Sequence, residues 1–379
     1  MQRPFRNRLA RTVFVCAVSG IASVVTAGYS LAAAKLDELH VPAGFHIGIF
    51  SAQVPGAREM AIGAQGTVFV GTMGPGVVYA ISTDQAGHAT KVRTIAHGLN
   101  QPVGVAFYRG DLYISDTQRI VALRDIEHHL DAPPAPEVVA DALPYEDGDH
   151  SWKFIAFGPD GRLYVPIGSP CNICDVGHKF GRLLSMKPDG TDRQDVAFGI
   201  RNTVGFTWQP GTGALWFTDN GRDNLGDDIP SDELNRVSHP GDSFGYPYCH
   251  QGNLPDPQFG KQHACSEFTP PSLLLGAHVA ALGLRFYEGT EFPASYKGAL
   301  IIAEHGSWNR STLAGYQVVT VHFGSDGKPQ PPEVLVSGFR HGQTAWGRPV
   351  DVQPLADGSV LMSDDLSGTI YKLTYGGSP

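Results

Sequence analysis

The chain has 379 residues, 42% of them hydrophobic, with 46 Gly, 28 Pro and a formal net charge of −9. That apolar fraction suffices for a large core, while an acidic surface repels phosphate backbones and anionic lipid and argues against nucleic acid as a partner. Short alternating apolar runs broken by turn residues, with almost no long helical periodicity, point to an all-β fold.

In chain order, Arg3, Arg6, Arg8 and Arg11 make a basic start. Residues 12–27 form an apolar run, and Ala32-Ala33-Ala34 provides a small-residue cleavage site. This pattern predicts a secretory signal peptide over residues 1–34 and a mature chain beginning near Lys35. The alternative is an uncleaved anchor, but the run is short for a span and contains Gly20. No later stretch is apolar enough to cross a bilayer, so no stable membrane insertion is expected after cleavage. Removing the four arginines of this segment takes the charge from −9 to −13. The expected location is periplasmic or secreted.

Six stretches then repeat one order: strand, Asp-Gly-like turn, strand, loop, strand. They cover residues 61–81, 102–123, 154–186, 205–237, 286–321 and 349–373. Six units in a mature chain of 345 residues give blades of just under 60 residues, so residues 35–379 are expected to form one six-bladed β-propeller. A β-sandwich with coincidental turns is the alternative, and six recurrences of the same order weigh against it. Irregular insertions at residues 146–152, 169–179, 220–232, 240–277 and 304–312 mostly follow a blade strand. They should gather on one face of the disc, where function resides.

Three of these loops concentrate polar groups. His150 stands beside carboxylates in Asp147-Gly148-Asp149-His150, a setting for a general base, although a loop His is more often merely solvated. Arg201, in Gly199-Ile200-Arg201-Asn202, could stabilise developing negative charge or form an ordinary surface ion pair. The oxygen-rich loop at residues 218–235 suits Ca²⁺ without EF-hand spacing, and an acidic solvated turn has equal claim to it.

Cys16 falls in the signal segment and four cysteines remain. An even count in an exported chain suggests disulfides, and a Cys249–Cys265 bridge would contribute about 3 kcal/mol by loop entropy. Cys171-Asn172-Ile173-Cys174 is compatible with a redox pair, half a zinc site or a tight bridge. The loop setting and the missing second zinc pair favour the bridge.

The succession Asp149-His150, Gly199-Ile200-Arg201-Asn202, Asn220-Gly221 and Asp232-Glu233-Leu234-Asn235 resembles that of the soluble sugar dehydrogenases that depend on pyrroloquinoline quinone (PQQ). The Cys-Asn-Ile-Cys loop and His305-Gly306-Ser307-Trp308-Asn309-Arg310 resemble their sorbosone-dehydrogenase-like branch. The likeness runs through nearly all of the mature chain. It implies PQQ and Ca²⁺ as cofactors, a sugar substrate and an unidentified electron acceptor. It further implies His150 as catalytic base, Arg201 and Asn202 beside the quinone, and Asn220 as a nearby polar group. The backbone carbonyls of Gly221 and Arg222 would bind Ca²⁺, and Arg348 would pair with a PQQ carboxylate. The sequence departs from the family in placing Val350 where a second arginine often stands. It also has no clear counterpart of a cofactor-binding lysine, for which Arg310 or His305 could substitute. The family's glutamine before the second blade is matched loosely by Asn100 or Gln101. Two further readings of a six-bladed propeller are a Ca²⁺-dependent lactonase, which needs carboxylates converging on the metal, and an exported binding scaffold, which would leave His150 and Arg201 apart.

Overall fold

A computed structural model describes residues 33–376, so most of the expected signal peptide lies outside the described residues. Six sheets of antiparallel strands follow one another around an axis. The innermost strands are Ala57–Ile62, Val105–Tyr108, Ala156–Phe157, Phe206–Trp208, Ala281–Phe286 and Pro349–Pro354. They define blades 1 to 6. In each blade the next strands step outward, because short Asp-Gly and Gly-containing turns permit only antiparallel neighbours.

The ring closes through the N-terminal strand. Phe45–Ser51 pairs antiparallel with Thr369–Tyr375 and becomes the outermost strand of blade 6. Blade 1 therefore begins four residues earlier than the sequence repeat suggested, at Ala57. The long insertion expected over residues 240–277 also ends inside the fold: Leu273–Ala277 returns as the outer strand of blade 4. Its earlier part leans on blade 3, where Asp242–Ser243 runs parallel to the outer strand Gln194–Phe198.

Neither face of a blade is buried until its neighbour supplies a core. Tyr108 of blade 2 stacks on Phe157 of blade 3 at 4.1 Å, and Tyr113 meets the same ring edge-on. Close approach near the axis leaves no room for some side chains. A Cβ on Gly104 would lie 2.3 Å from the Lys153 carbonyl, and one on Gly205 would lie 2.2 Å from the Leu282 carbonyl.

Innermost strands have one edge without a ladder partner, and its N–H groups need acceptors. Two buried carboxylates supply them. Glu59 Oε2 accepts from the amides of Val105 and Ile155, joining blades 1, 2 and 3. Asp351 Oδ2 accepts from Met60, joining blade 6 to blade 1. Burial raises the pKa of both acids. Both bridges that cysteine counting favoured are present, Cys171–Cys174 and Cys249–Cys265. Among the described residues no helix is long and apolar enough to cross a membrane.

Candidate active site

Antiparallel pairing puts the start of each inner strand and the end of its second strand at the same edge of the blade, as Phe206 opposite Phe217 shows in blade 4. Loops flanking those positions therefore converge on one face of the disc. They enclose a cavity of about 360 Å³ at the axis. That size lies in the range of small-molecule sites, roughly 300–1,000 Å³. Residues approaching the inner strands bring His150, Trp152, Arg201, Asn202, Ala280 and Arg348 to its wall. Loops after the second strands bring Met73, Asn220, Gly221, Asp223, His305 and Asp365.

His150 is 8% exposed and adopts a left-handed backbone, φ 56°. Its Nδ1–H donates to the Ser169 carbonyl at 2.8 Å, which leaves Nε2 with the lone pair. Burial, and then the charge of Arg201, push its pKa down to about 3. The imidazole is thus neutral at any ordinary pH. A Cβ on Gly168 would lie 2.7 Å from the His150 Cβ, so glycine there is what lets the ring seat. Beside it Ser151 donates to Gln101 Oε1 at 2.9 Å, which places Gln101 behind the His150 loop.

Arg201 is 4% exposed, and its guanidinium is held at every nitrogen. Nε donates to the Asn172 carbonyl at 2.9 Å, Nη1 to the Asn220 carbonyl at 3.2 Å, and Nη2 to Asn172 Oδ1 and Asp223 Oδ2 at 2.9 and 2.8 Å. The backbone amides of Arg201 and Asn202 both donate to Asp219, a buried acid pushed up to about 7 by desolvation. Asn202 Nδ2 reaches Asn220 Oδ1 at 3.4 Å, and Asn220 Nδ2 donates to the Ala281 carbonyl at 2.8 Å.

The segment suited to Ca²⁺ is fixed from outside. The Gly221 amide donates to Asp232 Oδ1 at 2.8 Å. The Arg222 side chain turns away from the cavity to Asp256 at 2.5 Å, beside His250. Among the described residues, the carbonyls of Gly221 and Arg222 accept no hydrogen bond. Gly221 lines the cavity, and Arg222 does not.

The opposite wall comes from blades 5, 6 and 1. Arg348 donates from Nε and Nη2 to the carbonyls of His305 and Gly306 at 3.1 and 2.8 Å, and lies over the Tyr316 ring at 5.5 Å. Its Nη1 makes no hydrogen bond among the described residues. Arg58, 3% exposed, donates from Nη1 to Asp365 at 2.7 Å, and its buried Nε has no partner. His305 Nε2 donates to the same Asp365 at 2.9 Å. Burial pushes His305 down to about 4, while the two donors hold Asp365 well below the usual carboxylate range despite its burial. Val350, which stands where the resembled family often has a second arginine, is buried with Val204 and Leu282 and packs against Trp152.

Six of the eight expected site residues meet in this cavity. Arg310 does not: its guanidinium binds Asp228 at 3.1 Å and the Ala277 carbonyl at 3.5 Å, away from the wall. Arg222 could contribute only its carbonyl. His305, the other candidate to replace the lysine, is on the wall but neutral. The additional cation is Arg58, which sequence reading missed. The signal was present, because an Arg-Glu pair inside an apolar inner strand must have a buried partner.

The fold and the site together define a six-bladed propeller with an axial pocket lined by three arginines and three aspartates. The chain belongs to the TrAA12-like family, whose sequence profile matches residues 39–376. An uncharacterised protein of Borreliella burgdorferi is 33% identical over 392 residues, 99% of each chain. A pyrroloquinoline quinone-dependent sugar dehydrogenase of Hypocrea jecorina is 28% identical over 170 residues, 36% of each chain. In fold, the chain matches the holo form of the PQQ domain of a pyranose dehydrogenase from Coprinopsis cinerea. The TM-score is 0.77, with 19% identity over 89% of this chain and 97% of that one.

Proposed function

We propose that this protein oxidises a sugar, an aldose or a sorbosone-like aldehyde, with PQQ and Ca²⁺ bound in the axial cavity. The observation that carries the reading is the mismatch of polar groups at that wall. Arg58 Nε and Trp152 Nε1 are buried donors without acceptors, and Arg348 Nη1 makes no hydrogen bond among the described residues. A buried donor left so costs about 1–3 kcal/mol. Every carboxylate on the wall is already engaged. Asp223 holds Arg201 and Asn309, Asp232 holds the amides of Gly221 and Ala280, and Asp365 holds Arg58 and His305. With the carboxylates spent within the wall, the free Arg348 nitrogen is left to an anionic ligand, and PQQ is a flat tricarboxylate.

When bound, PQQ supplies the hydride acceptor and Ca²⁺ the Lewis acid that polarises it. Arg348 and Arg58 would hold carboxylates, and the Gly221 and Arg222 carbonyls would hold the cation. His150 presents Nε2 as a lone pair because Nδ1 is committed to Ser169, so it would take the hydroxyl proton of the sugar. Arg201, with Asn202 beside it, keeps positive charge at the wall where negative charge develops. Trp308, 71% exposed at the rim, offers a flat apolar face to a sugar ring.

The lactonase reading lacks its converging carboxylates: among the described residues no three His, Cys, Asp or Glu side chains are set to hold a metal. The scaffold reading requires His150 and Arg201 to lie apart, and they share one wall. The two disulfides suit an oxidising compartment and support a periplasmic or secreted protein. The test is to titrate purified protein with PQQ and CaCl₂, then to screen aldoses with an artificial dye as electron acceptor. Saturable PQQ binding lost in strong chelator, followed by sugar-dependent dye reduction, is expected. PQQ binding that persists in full chelation would refute the carbonyl cation site, and no PQQ binding at all would refute the reading.

A further inference from the structure

We propose that Asn172 is the positioning residue of this site, seating Arg201 and fixing the backbone of residues 221–223 from within the Cys171–Cys174 loop. One side chain and its carbonyl do both. The Asn172 carbonyl accepts from Arg201 Nε at 2.9 Å, and Oδ1 accepts from Arg201 Nη2 at 2.9 Å. The same Oδ1 accepts from the Asp223 amide at 2.8 Å, while Nδ2 donates to the Asp223 carbonyl at 3.2 Å. Asp223 closes the circuit by accepting from Arg201 at 2.8 Å. The guanidinium and the chain beside Gly221 and Arg222 are thus tied to a single residue.

That residue is itself restrained. Cys171 and Cys174 bridge across it. The Tyr246 hydroxyl accepts from the Cys174 amide at 3.1 Å and pairs with Ser169 Oγ at 2.9 Å. Ser169 is the residue whose carbonyl orients His150. A loop of this kind limits the drift of both side chains, and a misplacement of about 1 Å in such a site can cost about 100-fold in rate. The cross-link lies beside the cavity and makes no contribution to a blade sheet, which gives it this use in place of a share in the core.

Only the role of Arg201 rests on the function proposed above; the seating is a property of the free protein. The test uses the full mature chain and two readouts. Hydrogen–deuterium exchange of the free protein at residues 221–223 should quicken about tenfold or more in Asn172→Ala. Turnover with PQQ and CaCl₂ should lose about tenfold or more in kcat while KM stays within about threefold. Asn172→Asp keeps the Oδ1 acceptor but loses the Nδ2 donor to the Asp223 carbonyl, so its kcat should lie between that of Asn172→Ala and the parent. Should Asn172→Ala fail to fold, the double variant C171S/C174S, which keeps Asn172 but frees its loop, should quicken exchange in the same direction. Exchange at residues 221–223 unchanged in whichever of these variants folds would overturn the proposal. So would a kcat in Asn172→Ala that stays at the parental value. A parent chain that shows no quinone-dependent turnover would sink the sugar dehydrogenase reading, and the exchange measurement would still decide the seating.

Discussion

The two walls of the axial cavity each set a histidine beside arginine, yet they are wired differently. On the wall from blades 3 and 4, His150 gives its proton-bearing nitrogen to a backbone carbonyl and Arg201 has a hydrogen bond at every guanidinium nitrogen. On the wall from blades 5, 6 and 1, His305 donates a hydrogen bond to Asp365, and Arg348 Nη1 and Arg58 Nε have no partner among the described residues. A histidine bonded to a neutral carbonyl keeps a basic lone pair available for a substrate proton. A histidine bonded to a carboxylate is part of a structural network that steadies the neighbouring cations. Under the proposed function, proton transfer falls to the first wall and anion binding to the second.

The widest gap between the walls should appear on removing one group from each. His150→Ala should slow sugar-dependent reduction of the bound cofactor by about 100-fold or more in a single turnover, the usual loss for a missing general base. Stopped-flow absorbance would read it, and a parental rate would remove His150 from the mechanism. Arg348→Ala should weaken PQQ binding by about 30-fold or more, as expected when one partner of a desolvated charge pair is lost. Equilibrium dialysis would measure that, and unchanged affinity would place the cofactor carboxylates elsewhere.

A smaller effect sharpens the comparison through pH. His150 has its pKa lowered to about 3 from an ordinary 6.5 by burial. A base so depressed remains deprotonated well below neutrality, so kcat/KM should change less than about threefold between pH 5 and 8 on its account. The stability sign follows the same shift. Between pH 6.5 and about 3 the unfolded chain binds a proton at this site that the folded chain does not, so the free protein loses stability as pH falls through that window. Thermal melts of parent and His150→Ala across pH 4 to 7 would check it, and identical pH slopes would show that the histidine is solvated.

Much of this was legible in the sequence, for physical reasons. The Asp-Gly turns recur because each blade repeats one antiparallel problem, and so six blades can be counted in the sequence. His150, Arg201, Asn202, Asn220, Gly221 and Arg348 carried family-like surroundings in their own loops, and all six line the cavity. What stayed hidden depends on ring closure. Arg58 and Asp365 are 307 residues apart and meet only because the first strand of the chain completes the last blade. Arg310 was misread because a cation five residues from His305 looks available, while its actual neighbour, Asp228, sits 82 residues away on another blade. The bridge at Cys171 was foreseen as a staple, but its content was not. Hydrogen bonds from Asn172 to Arg201 and Asp223 follow from loop packing that no local pattern encodes.

The division of labour between the walls is tested most directly by one equilibrium measurement, PQQ titration in CaCl₂ of His150→Ala and Arg348→Ala side by side with the parent. The account predicts His150→Ala within about threefold of parental affinity and Arg348→Ala about 30-fold or more weaker. Loss of PQQ by His150→Ala with retention by Arg348→Ala would reverse the assignment of the two walls and contradict it.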